Sequence, residues 1–413
     1  MLDIQFIRDN VDSVKQATFD KGFDGNVVDK IIEVDVDRRK LIGEVEALRA
    51  KKNKLGHDQI EEGRALKVEL KSIEENLNIV TTTFNDLMLK VPNPSAHDVK
   101  VGKEEDNEVI RRVGTPRVFD FPVRDHLDLG LLTGTIDIPN GTKVSQSGFY
   151  YIKGMGVMLG FALTQYVMMK LAKKGFIPVI TPNVANEKSV IGCGFQARSD
   201  KERQIYHVEG QDLDLIATAE ITLVGQHADT TFNASDLPIK YAGYSSCYRQ
   251  EIGSYGKDVR GIMRVHEFRK IEMVVFALPS ESDKIHEELR EIEEEIWADL
   301  EIPYQLIKQA TGDLGNAASR KYDIEAWMPS QAKYREVTST SNTTDFQARR
   351  LGIKVKIKNE NEYLHTLNGT ALAIGRAMIA IYENYQNEDG TITIPKVLQK
   401  WTETDLIPLV ASK

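Results

Sequence analysis

The strongest constraint on the fold is a hydrophobic repeat in the N-terminal part of the chain, with steps that alternate between three and four residues. This spacing is typical of a helix face that packs against a partner helix. In a first segment the repeat falls on Ile31, Val34, Arg38, Leu41, Val45, Leu48, Lys52 and Leu55. In a second it falls on Leu66, Leu70, Ile73, Leu77, Val80, Phe84 and Leu87, and the prolines of VPNPS end it. The pattern predicts two helices that form an antiparallel coiled-coil hairpin.

A basic cluster lies near the predicted turn of this hairpin and comprises Arg49, Lys51, Lys52 and Lys54. The ordinary interpretation of such a run is a solvated helix face. The alternative is a surface that follows the phosphates of a nucleic acid. The residues alone leave both open.

Length and composition limit the number of domains and the class of protein. Its 413 residues suggest two or three domains at roughly 100 to 200 residues each, and 41% hydrophobic with 28% charged residues is typical of a globular protein. A net charge of -9 argues against nucleic-acid binding through bulk charge, so we expect no DNA partner. Cys193 and Cys247 are far apart in sequence and predict neither a disulfide framework nor a cysteine zinc site.

Two further features concern localisation. The N-terminus MLDIQFIRDN lacks a basic region followed by an apolar run. The longest apolar stretch, GVMLGFAL, is shorter than the roughly 20 residues that a membrane-spanning helix needs. We therefore expect a cytoplasmic protein that does not insert into a membrane.

Beyond residue 100 the pattern changes to short β-rich runs that alternate irregularly with helices. SGFYYIKGMGVMLGFALTQYVMMKLAKKGFIPVITP predicts a strand, a helix and a second strand, and SESDKIHEELREIEEEIWADL predicts an amphipathic helix. Strands mixed with helices in this way favour an α+β domain on an antiparallel sheet. We divide the chain into residues 1–100 and 101–413.

The stretch CYRQEIGSYGKDVRGIMRVHEFRKIEMVVF predicts two strands that carry charge. Arg249 and Glu251 share a face of the first, and Phe268, Lys270 and Glu272 share a face of the second. Such a face is either a solvent-exposed hairpin with cross-strand ion pairs or the floor of a binding site. The intervening loop has glycines and cations that suit a polyphosphate: Gly253, Gly256, Lys257, Arg260, Gly261 and Arg264.

Three more segments carry candidate functional residues. In KYREVTSTSNTTDFQARR, Glu336 alternates with Val337 and suits a magnesium ion, although a polar edge strand explains the pattern equally well. DLIATAEITL places Thr218 and Glu220 on one face, which suits an ammonium-bearing ligand. In TLNGTALAIGRAMIAIYENYQ the cation Arg376 has no partner on its own apolar helix, and its stem could simply pack at the edge of the core.

Together these segments resemble a known family. CYRQE with VHEFRKIEMV resembles motif 2 of class II aminoacyl-tRNA synthetases, LNGTALAIGRAMIAIYENYQ resembles motif 3, and KGFIPVITP resembles motif 1. ATAEITL, YREVTSTSNTTDFQARR, KYDIEAWMP and DHLDLGLLTGTIDI are similar to segments of seryl-tRNA synthetases, and the hairpin is similar to their tRNA-binding arm. The resemblance implies a helical arm followed by a catalytic domain on an antiparallel sheet flanked by helices.

The resemblance also implies an activity and its residues. L-serine would react with ATP to give seryl-adenylate and pyrophosphate, and the seryl group would pass to tRNA(Ser), with tRNA(Sec) a further acceptor. The implied catalytic residues are Arg249, Glu272 and Arg376. ATP would contact Arg249, Gln250, Glu251, Val265, Phe268, Glu336, Val337, Thr338, Ser339 and Arg376, and Glu336 would hold Mg²⁺. Serine would contact Thr218, Ala219, Glu220, Glu272, Asn368 and Thr370, and the tRNA would contact Arg49, Lys51, Lys52 and Lys54. A homodimer built on motif 1 is implied as well.

Some positions depart from the family pattern. TSTSNTTDFQARR stands where the family commonly has SSCSNCTDFQARR, and Thr370 and Ala371 stand where it commonly has serine and glycine. We expect the Ala371 methyl group near bound serine, where it would tighten the pocket. Residues 191–210 match the usual pattern poorly. Two other functions stay open: a synthetase-like ligase that loads an amino acid onto a carrier protein, and a catalytically silent RNA-binding paralogue.

Overall fold

The computed structural model describes residues 1–56, 59–195, 204–252 and 260–410. It divides into two compact units, Met1–Ser95 and Ala96–Lys413. Residues 96–100, which the sequence division placed with the helical region, are tied to the second unit. The Ala96 amide donates to the carbonyl of Ser319, and the Asp98 carboxylate forms ion pairs with Lys308 and Arg320.

The first unit is helical. Its elements are α1 (Ile4–Asp9), α2 (Val11–Asp20), α3 (Asn26–Asn53) and α4 (Ile60–Met88). Helices α3 and α4 pack against each other along the faces that carry the hydrophobic repeat. Every apolar position of the repeat is buried or half-buried. The repeat did not predict α1 and α2, because these helices are too short to show it. Their residues Ile7 and Val14 pack in one core with Val28, Ile31 and Phe84.

Arg38 is a polar residue at a position of the hydrophobic repeat, and its neighbours explain why it lies there. Asp35, one helical turn earlier, is buried and accepts hydrogen bonds from Arg8 on α1 and from Arg38. The Arg38 guanidinium also lies over the Phe84 ring, 4.3 Å from its centroid. A buried carboxylate between two arginines fixes the register of α1 against the hairpin.

The second unit mixes helices and strands. Its helices are α5 (His126–Leu132), α6 (Ile138–Ser145), α7 (Met155–Lys173), α8 (Glu187–Gly192), α9 (Ala219–Gly225), α10 (Ser282–Asp299), α11 (Phe346–Leu351), α12 (Ile374–Asn384) and α13 (Gln399–Thr402). The strands of its large sheet are β1 (Glu108–Val113), β4 (Ile177–Ile180), β8 (Ile239–Tyr248), β9 (Glu267–Ala277), β10 (Tyr304–Lys308), β11 (Arg320–Met328), β12 (Lys333–Asn342) and β15 (His365–Ala373). The remaining strands are β2 (Ile136–Asp137), β3 (Tyr151–Ile152), β5 (Val184–Ala185), β6 (Asp214–Leu215), β7 (Thr231–Asn233), β13 (Lys354–Ile357), β14 (Glu360–Tyr363), β16 (Ile392–Thr393) and β17 (Leu406–Ile407).

The large sheet has the strand order β1-β10-β11-β12-β15-β9-β8-β4. All of its pairings are antiparallel except that of β4 with β8. This confirms the predicted α+β class with an antiparallel sheet flanked by helices.

Strand β9 shows what each face of the sheet covers. Ile271, Met273 and Val275 belong to a core with α7, α10 and α12. Val274 and Phe276 point the other way, into a second core with α9 and α11. Because side chains alternate along a strand, Phe268, Lys270 and Glu272 lie on this second face.

Helix α7 is longer than the apolar stretch GVMLGFAL on which the sequence expectation was based. By length and composition alone it passes the test for a membrane-crossing helix, and it is the one described helix that does. Its buried residues, among them Leu159, Leu163 and Val167, belong to the core beneath the sheet. Core helices of water-soluble proteins pass the same test, so this is weak evidence for a membrane span.

Candidate active site

A cavity of about 310 Å³ lies on the face of the sheet that carries Phe268, Lys270 and Glu272. Among its lining residues are almost all of the candidates named from the sequence. These are Thr218, Glu220, Arg249, Glu251, Val265, Phe268, Glu272, Glu336, Val337, Thr338, Ser339, Asn368, Thr370 and Arg376. Segments far apart in the chain therefore meet in one place, and the charged face of β9 is a cavity floor rather than an exposed hairpin.

One end of the cavity is formed around Glu220. Thr218 begins α9 by accepting a hydrogen bond from the Glu220 amide, which places the Glu220 carboxyl in the first helical turn. That carboxyl is buried, and it accepts from the side chains of Gln347 at 2.6 Å and Asn368 at 2.8 Å. Burial, and then the nearby Glu272, raise the pKa of Glu220 to about 7.

Beside it lies a triad of Lys270, Glu272 and Thr370. Lys270 forms a buried ion pair with Glu272, its neighbour on the same face of β9. The Thr370 hydroxyl on β15 lies 3.3 Å from the Glu272 carboxylate and 3.4 Å from the Lys270 ammonium. These groups form a small polar pocket with a fixed arrangement of donors and acceptors.

The middle of the cavity contains Arg249 and Phe268. The sequence predicted Arg249 and Glu251 on a strand, but β8 ends at Tyr248 and both residues follow it. Glu251 has a positive φ of 49°. Both side chains still line the cavity. The Arg249 guanidinium lies 5.3 Å from the centroid of the Phe268 ring, and Glu251 forms an ion pair with Arg264 at 3.0 Å.

The other end is formed by Glu336 and Arg376. The simple alternation expected in β12 fails because the pairing with β11 shifts register between Ile324 and Glu325. Thr338 pairs with Ile324 and Glu336 with Glu325, which leaves Val337 as the extra residue of a β-bulge. The bulge brings Glu336 to the same side as Ser339.

Arg376, the cation on the apolar helix α12, has its partner here. Its guanidinium donates to the Glu336 carbonyl at 3.0 Å and pairs with the Glu336 carboxylate at 3.1 Å. Desolvation favours the neutral form of Glu336. The pKa of Glu336 nevertheless lies below its ordinary value, because Arg376 and then Lys321 and Arg249 stabilise the carboxylate.

Three sequence candidates lie elsewhere. Ala219 is fully buried in the core with α8 and α11. The Gln250 side chain donates to the Ile205 carbonyl at 2.9 Å and lines no described part of the cavity. Ala371 lies at a second bulge, between the β15 residues Thr370 and Leu372, where its methyl group packs in the core rather than against the cavity.

Other predictions fall on the loop after β8. Gly253, Gly256 and Lys257 lie outside the described residues. Gly261 has a φ of 92°, and a Cβ atom there would collide with the imidazole of His126. Arg260 lies 3.2 Å from Asp125.

Sequence reasoning missed Lys321 and Gln347, and it assigned Lys270 to the cavity face without a role. Lys321 lines the cavity near Glu336. Gln347 holds the Glu220 carboxyl from α11. The charge of Lys321 at the start of KYDIEAWMP, a segment that carries the family resemblance, was a usable signal, whereas the contact of Gln347 depends on tertiary packing.

At the tip of the helical hairpin, the four basic side chains are exposed. Arg49 pairs with Glu74 at 2.7 Å and Lys51 with Glu62 at 3.4 Å. Within the described ranges Lys52 and Lys54 have no carboxylate partner. Half of the cluster is therefore neutralised locally, and the rest is available to an anion.

The second unit has the architecture of a class II aminoacyl-tRNA synthetase. Residues 204–385 match the family model described as "tRNA synthetase class II core domain (G, H, P, S and T)". Residues 1–94 match the "Seryl-tRNA synthetase N-terminal domain".

Relatives that match along their full length show which family of class II synthetases the chain is similar to. The chain is 44% identical to a serine–tRNA ligase of Rubrobacter xylanophilus over 98% of this chain and 99% of that one. It is 43% identical to a serine–tRNA ligase of Treponema denticola over 98% and 100% of the two chains. The crystal structure of seryl-tRNA synthetase from Pyrococcus horikoshii complexed with ATP is similar with a TM-score of 0.93 and 38% identity, over 100% of both chains. The chain belongs to the seryl-tRNA synthetase family.

Proposed function

We propose that this chain is a serine–tRNA ligase, an enzyme that activates L-serine with ATP and transfers the seryl group to tRNA. The observation that carries the proposal is the cavity itself. Buried carboxyls and hydroxyls at one end suit a small amino acid, and arginines with an aromatic ring at the other suit a nucleotide. Both ends lie on the strands and helix ends of one rigid sheet.

The first step joins the two substrates. The serine carboxylate attacks the α-phosphorus of ATP, which forms the mixed anhydride of seryl-adenylate and releases pyrophosphate. Arg249 lies between the two ends, where it stabilises negative charge on the attacked phosphate. Holding both reactants in line supplies effective molarities worth roughly 7 to 11 kcal/mol in favourable cases. A terminal hydroxyl of the tRNA then attacks the seryl carbonyl and releases AMP.

Selection of serine rests on the polar pocket. Glu220 faces the serine ammonium, and Glu272 with Thr370 faces its hydroxyl. Alanine leaves these buried polar groups unpaired, at about 1 to 3 kcal/mol for each group. Threonine must be rejected by shape, because its hydroxyl could use the same contacts with Lys270, Glu272 and Thr370.

The nucleotide end binds ATP through Phe268, Arg249 and Arg376, with Mg²⁺ as the companion ion. Glu336 and Ser339 offer the hard oxygen ligands that Mg²⁺ prefers. Among the described residues there is no cluster of three or more His, Cys, Asp or Glu side chains, so these two residues would hold the ion together with oxygens of the bound nucleotide. The ion would neutralise phosphate charge when bound, and Arg376 orients the phosphates distal to the attacked atom.

The remaining parts of the proposal concern partners. The helical unit binds tRNA(Ser), and also tRNA(Sec), through the exposed tip residues Arg49, Lys51, Lys52 and Lys54, which follow the backbone rather than read bases. The enzyme is a cytoplasmic homodimer without a membrane or DNA partner. Exposed apolar residues on α7 and on the edge strand β4, among them Phe161 and Ile180, support the dimer.

One pair of assays tests the function. We expect serine-dependent exchange of pyrophosphate into ATP, followed by charging of tRNA(Ser). Absence of exchange at millimolar serine would overturn the proposal and favour a silent RNA-binding paralogue. Exchange without tRNA charging would favour a ligase that acts on a carrier protein.

A further inference from the structure

Helix α10 presents polar groups to the underside of the sheet, on the face opposite the cavity. Ser282, His286 and Glu293 lie on its buried side at near-helical spacing. The His286 ring donates to the carbonyl of Thr340 at 3.1 Å. Glu293 is completely buried. The apolar repeat of this helix predicts its packing but gives no reason for a carboxyl group in that position.

Glu293 lies where two strands of the sheet separate. Strands β12 and β15 pair only through Thr340, Ser341 and Asn342 with Leu367, Asn368 and Gly369. The preceding β12 residues, from Glu336 to Ser339, have no ladder to β15, and they line the nucleotide end of the cavity. Asn368 and Thr370 of β15 line the serine end.

The carboxyl group of Glu293 touches both strands at this point. One oxygen accepts from the Thr338 hydroxyl at 3.1 Å, just beyond the last pair of the ladder. The other lies against Gly369, so closely that a Cβ atom there would be 2.9 Å from it. Thr340 closes the same junction, because its hydroxyl donates to the Asn368 carbonyl at 2.9 Å.

We propose that Glu293 is a positioning residue whose carboxyl group sets the separation of β12 from β15, and thereby the distance between bound ATP and bound serine. This inference rests on the proposed function of the cavity. A methionine or leucine would fill the same space without burying an unpaired polar atom, and the second Glu293 oxygen has no partner among the described residues. Packing alone therefore does not account for the residue.

The surroundings of the group favour its neutral form. Burial raises the pKa of Glu293 well above its ordinary value, and Glu272 on β9 and Asp323 on β11 raise it further. The Thr338 hydroxyl and Lys270 on β9 act in the opposite direction. A glutamine, which is neutral and nearly the same shape, should therefore replace Glu293 well.

The test compares Glu293→Met with Glu293→Gln in the pyrophosphate exchange assay. Glu293→Met keeps the volume but cannot bond Thr338. We expect its kcat to fall tenfold or more, while KM for serine and KM for ATP each stay within about threefold, because each end is intact and only their alignment changes. Glu293→Gln should keep kcat within about twofold of the wild type.

Glu294→Gln is the matched control. Glu294 is also buried on α10, but its partners are Arg111, Arg290 and Tyr304, and none of these residues lines the cavity. This change should lower Tm without changing kcat. Thr338→Val removes only the hydroxyl that Glu293 holds, so it should reproduce the fall in kcat even if Glu293→Met does not fold.

Two outcomes would overturn the inference. One is a wild-type kcat for folded Glu293→Met or Thr338→Val, with only Tm lowered, since that is a purely structural effect. The other is a Glu293→Gln enzyme as slow as Glu293→Met. A wild-type enzyme without serine-dependent exchange would instead count against the proposed function, so the two failures are distinguishable.

Discussion

At the scale of single residues, Arg376 shows how a charge on an apolar helix is explained by its surroundings. Helix α12 is buried along almost its whole length, while the Arg376 side chain keeps about a quarter of its surface exposed. Its stem crosses the edge of the core, as the snorkelling interpretation required, and its head reaches the cavity. Both interpretations considered from the sequence were therefore partly right.

We expect Arg376→Ala to reduce serine-dependent pyrophosphate exchange by roughly 100-fold to 1,000-fold, the cost of losing one preorganised charge-stabilising donor. Arg376→Lys should be intermediate, because an ammonium keeps the charge but not the two-pronged geometry. Tm should change little, since the pair with half-exposed Glu336 is worth about 1 kcal/mol or less. Lys333→Ala, an exposed change on β12 outside the cavity, is the control and should leave exchange intact.

A second residue-scale prediction concerns pH. Glu220 has a pKa of about 7 in the free enzyme, so its carboxylate forms as pH rises through 7. If the carboxylate holds the serine ammonium, KM for serine should fall with rising pH and then level off. At pH 6 only about a tenth of the sites are ionised, so KM should be about tenfold higher than its plateau.

The measurement is KM for serine in the exchange assay from pH 5.5 to 8.5, with KM for ATP measured in parallel. Glu220→Gln should raise KM for serine throughout and remove its dependence on pH near 7, because an amide does not titrate. An unchanged pH profile in Glu220→Gln would show that another group titrates.

At the scale of elements, the tip of the α3–α4 hairpin can be separated from catalysis. Lys52 and Lys54 are exposed and, in the described part of the chain, unpaired with any carboxylate. We expect Lys52→Glu with Lys54→Glu to lower kcat/KM for tRNA at least tenfold through lost phosphate contacts, with exchange unchanged. The control is Lys356→Glu with Lys358→Glu, which changes net charge equally at exposed positions of the second unit. Loss of exchange at the tip variant would mean that the tip acts otherwise.

The elements also show how far the sequence predicts the fold. Hydrophobic periodicity located α3, α4, α7 and α10 and the strands β8 and β9, because long amphipathic segments repeat their pattern several times. It missed α1 and α2, which are too short for a repeat. It could not show that Glu336 shares a face with Ser339, since a β-bulge depends on the partner strand and leaves no mark in the composition.

The sequence predicted which residues line the cavity better than it predicted which of them pair with each other. The family resemblance named Arg249, Glu272 and Arg376, since the motifs that carry it contain the groups that contact the substrates. It could not name the Arg376–Glu336 pair or the support that Gln347 gives Glu220, since these depend on how separate elements pack. The Ala371 expectation failed for the same reason: the bulge in β15 turns that methyl group into the core.

At the scale of the whole molecule, the surface of the second unit bears on assembly. Helix α7 exposes Met158, Phe161 and Met169, and strand β4 exposes Ile177 and Ile180. Exposed apolar residues grouped on adjoining elements are typical of an interaction surface. Since these elements belong to the motif 1 region, a second copy of the chain is the expected partner.

Light scattering should therefore give twice the 46.5 kDa of one chain at micromolar concentration. Phe161→Glu should shift the mass toward the monomer, because it places a charge within an apolar contact. Lys173→Glu, at the end of the same helix, is the control and should remain dimeric. A monomeric wild type would contradict the assignment of this surface.

The bulge at Val337 has a consequence for how this enzyme can vary. Alternation along a strand is a matter of parity, and one extra residue reverses the parity of everything before it relative to everything after it. Deleting Val337 would restore regular pairing and leave Glu336 opposite Glu325 on the cavity side, whereas a regular strand that kept Val337 would turn Glu336 toward the core. Ala371 marks a second reversal in β15. Loss of the bulge residue alone therefore keeps its neighbours on their present faces, whereas a single insertion or deletion at a paired position of either strand would move site residues to the other face.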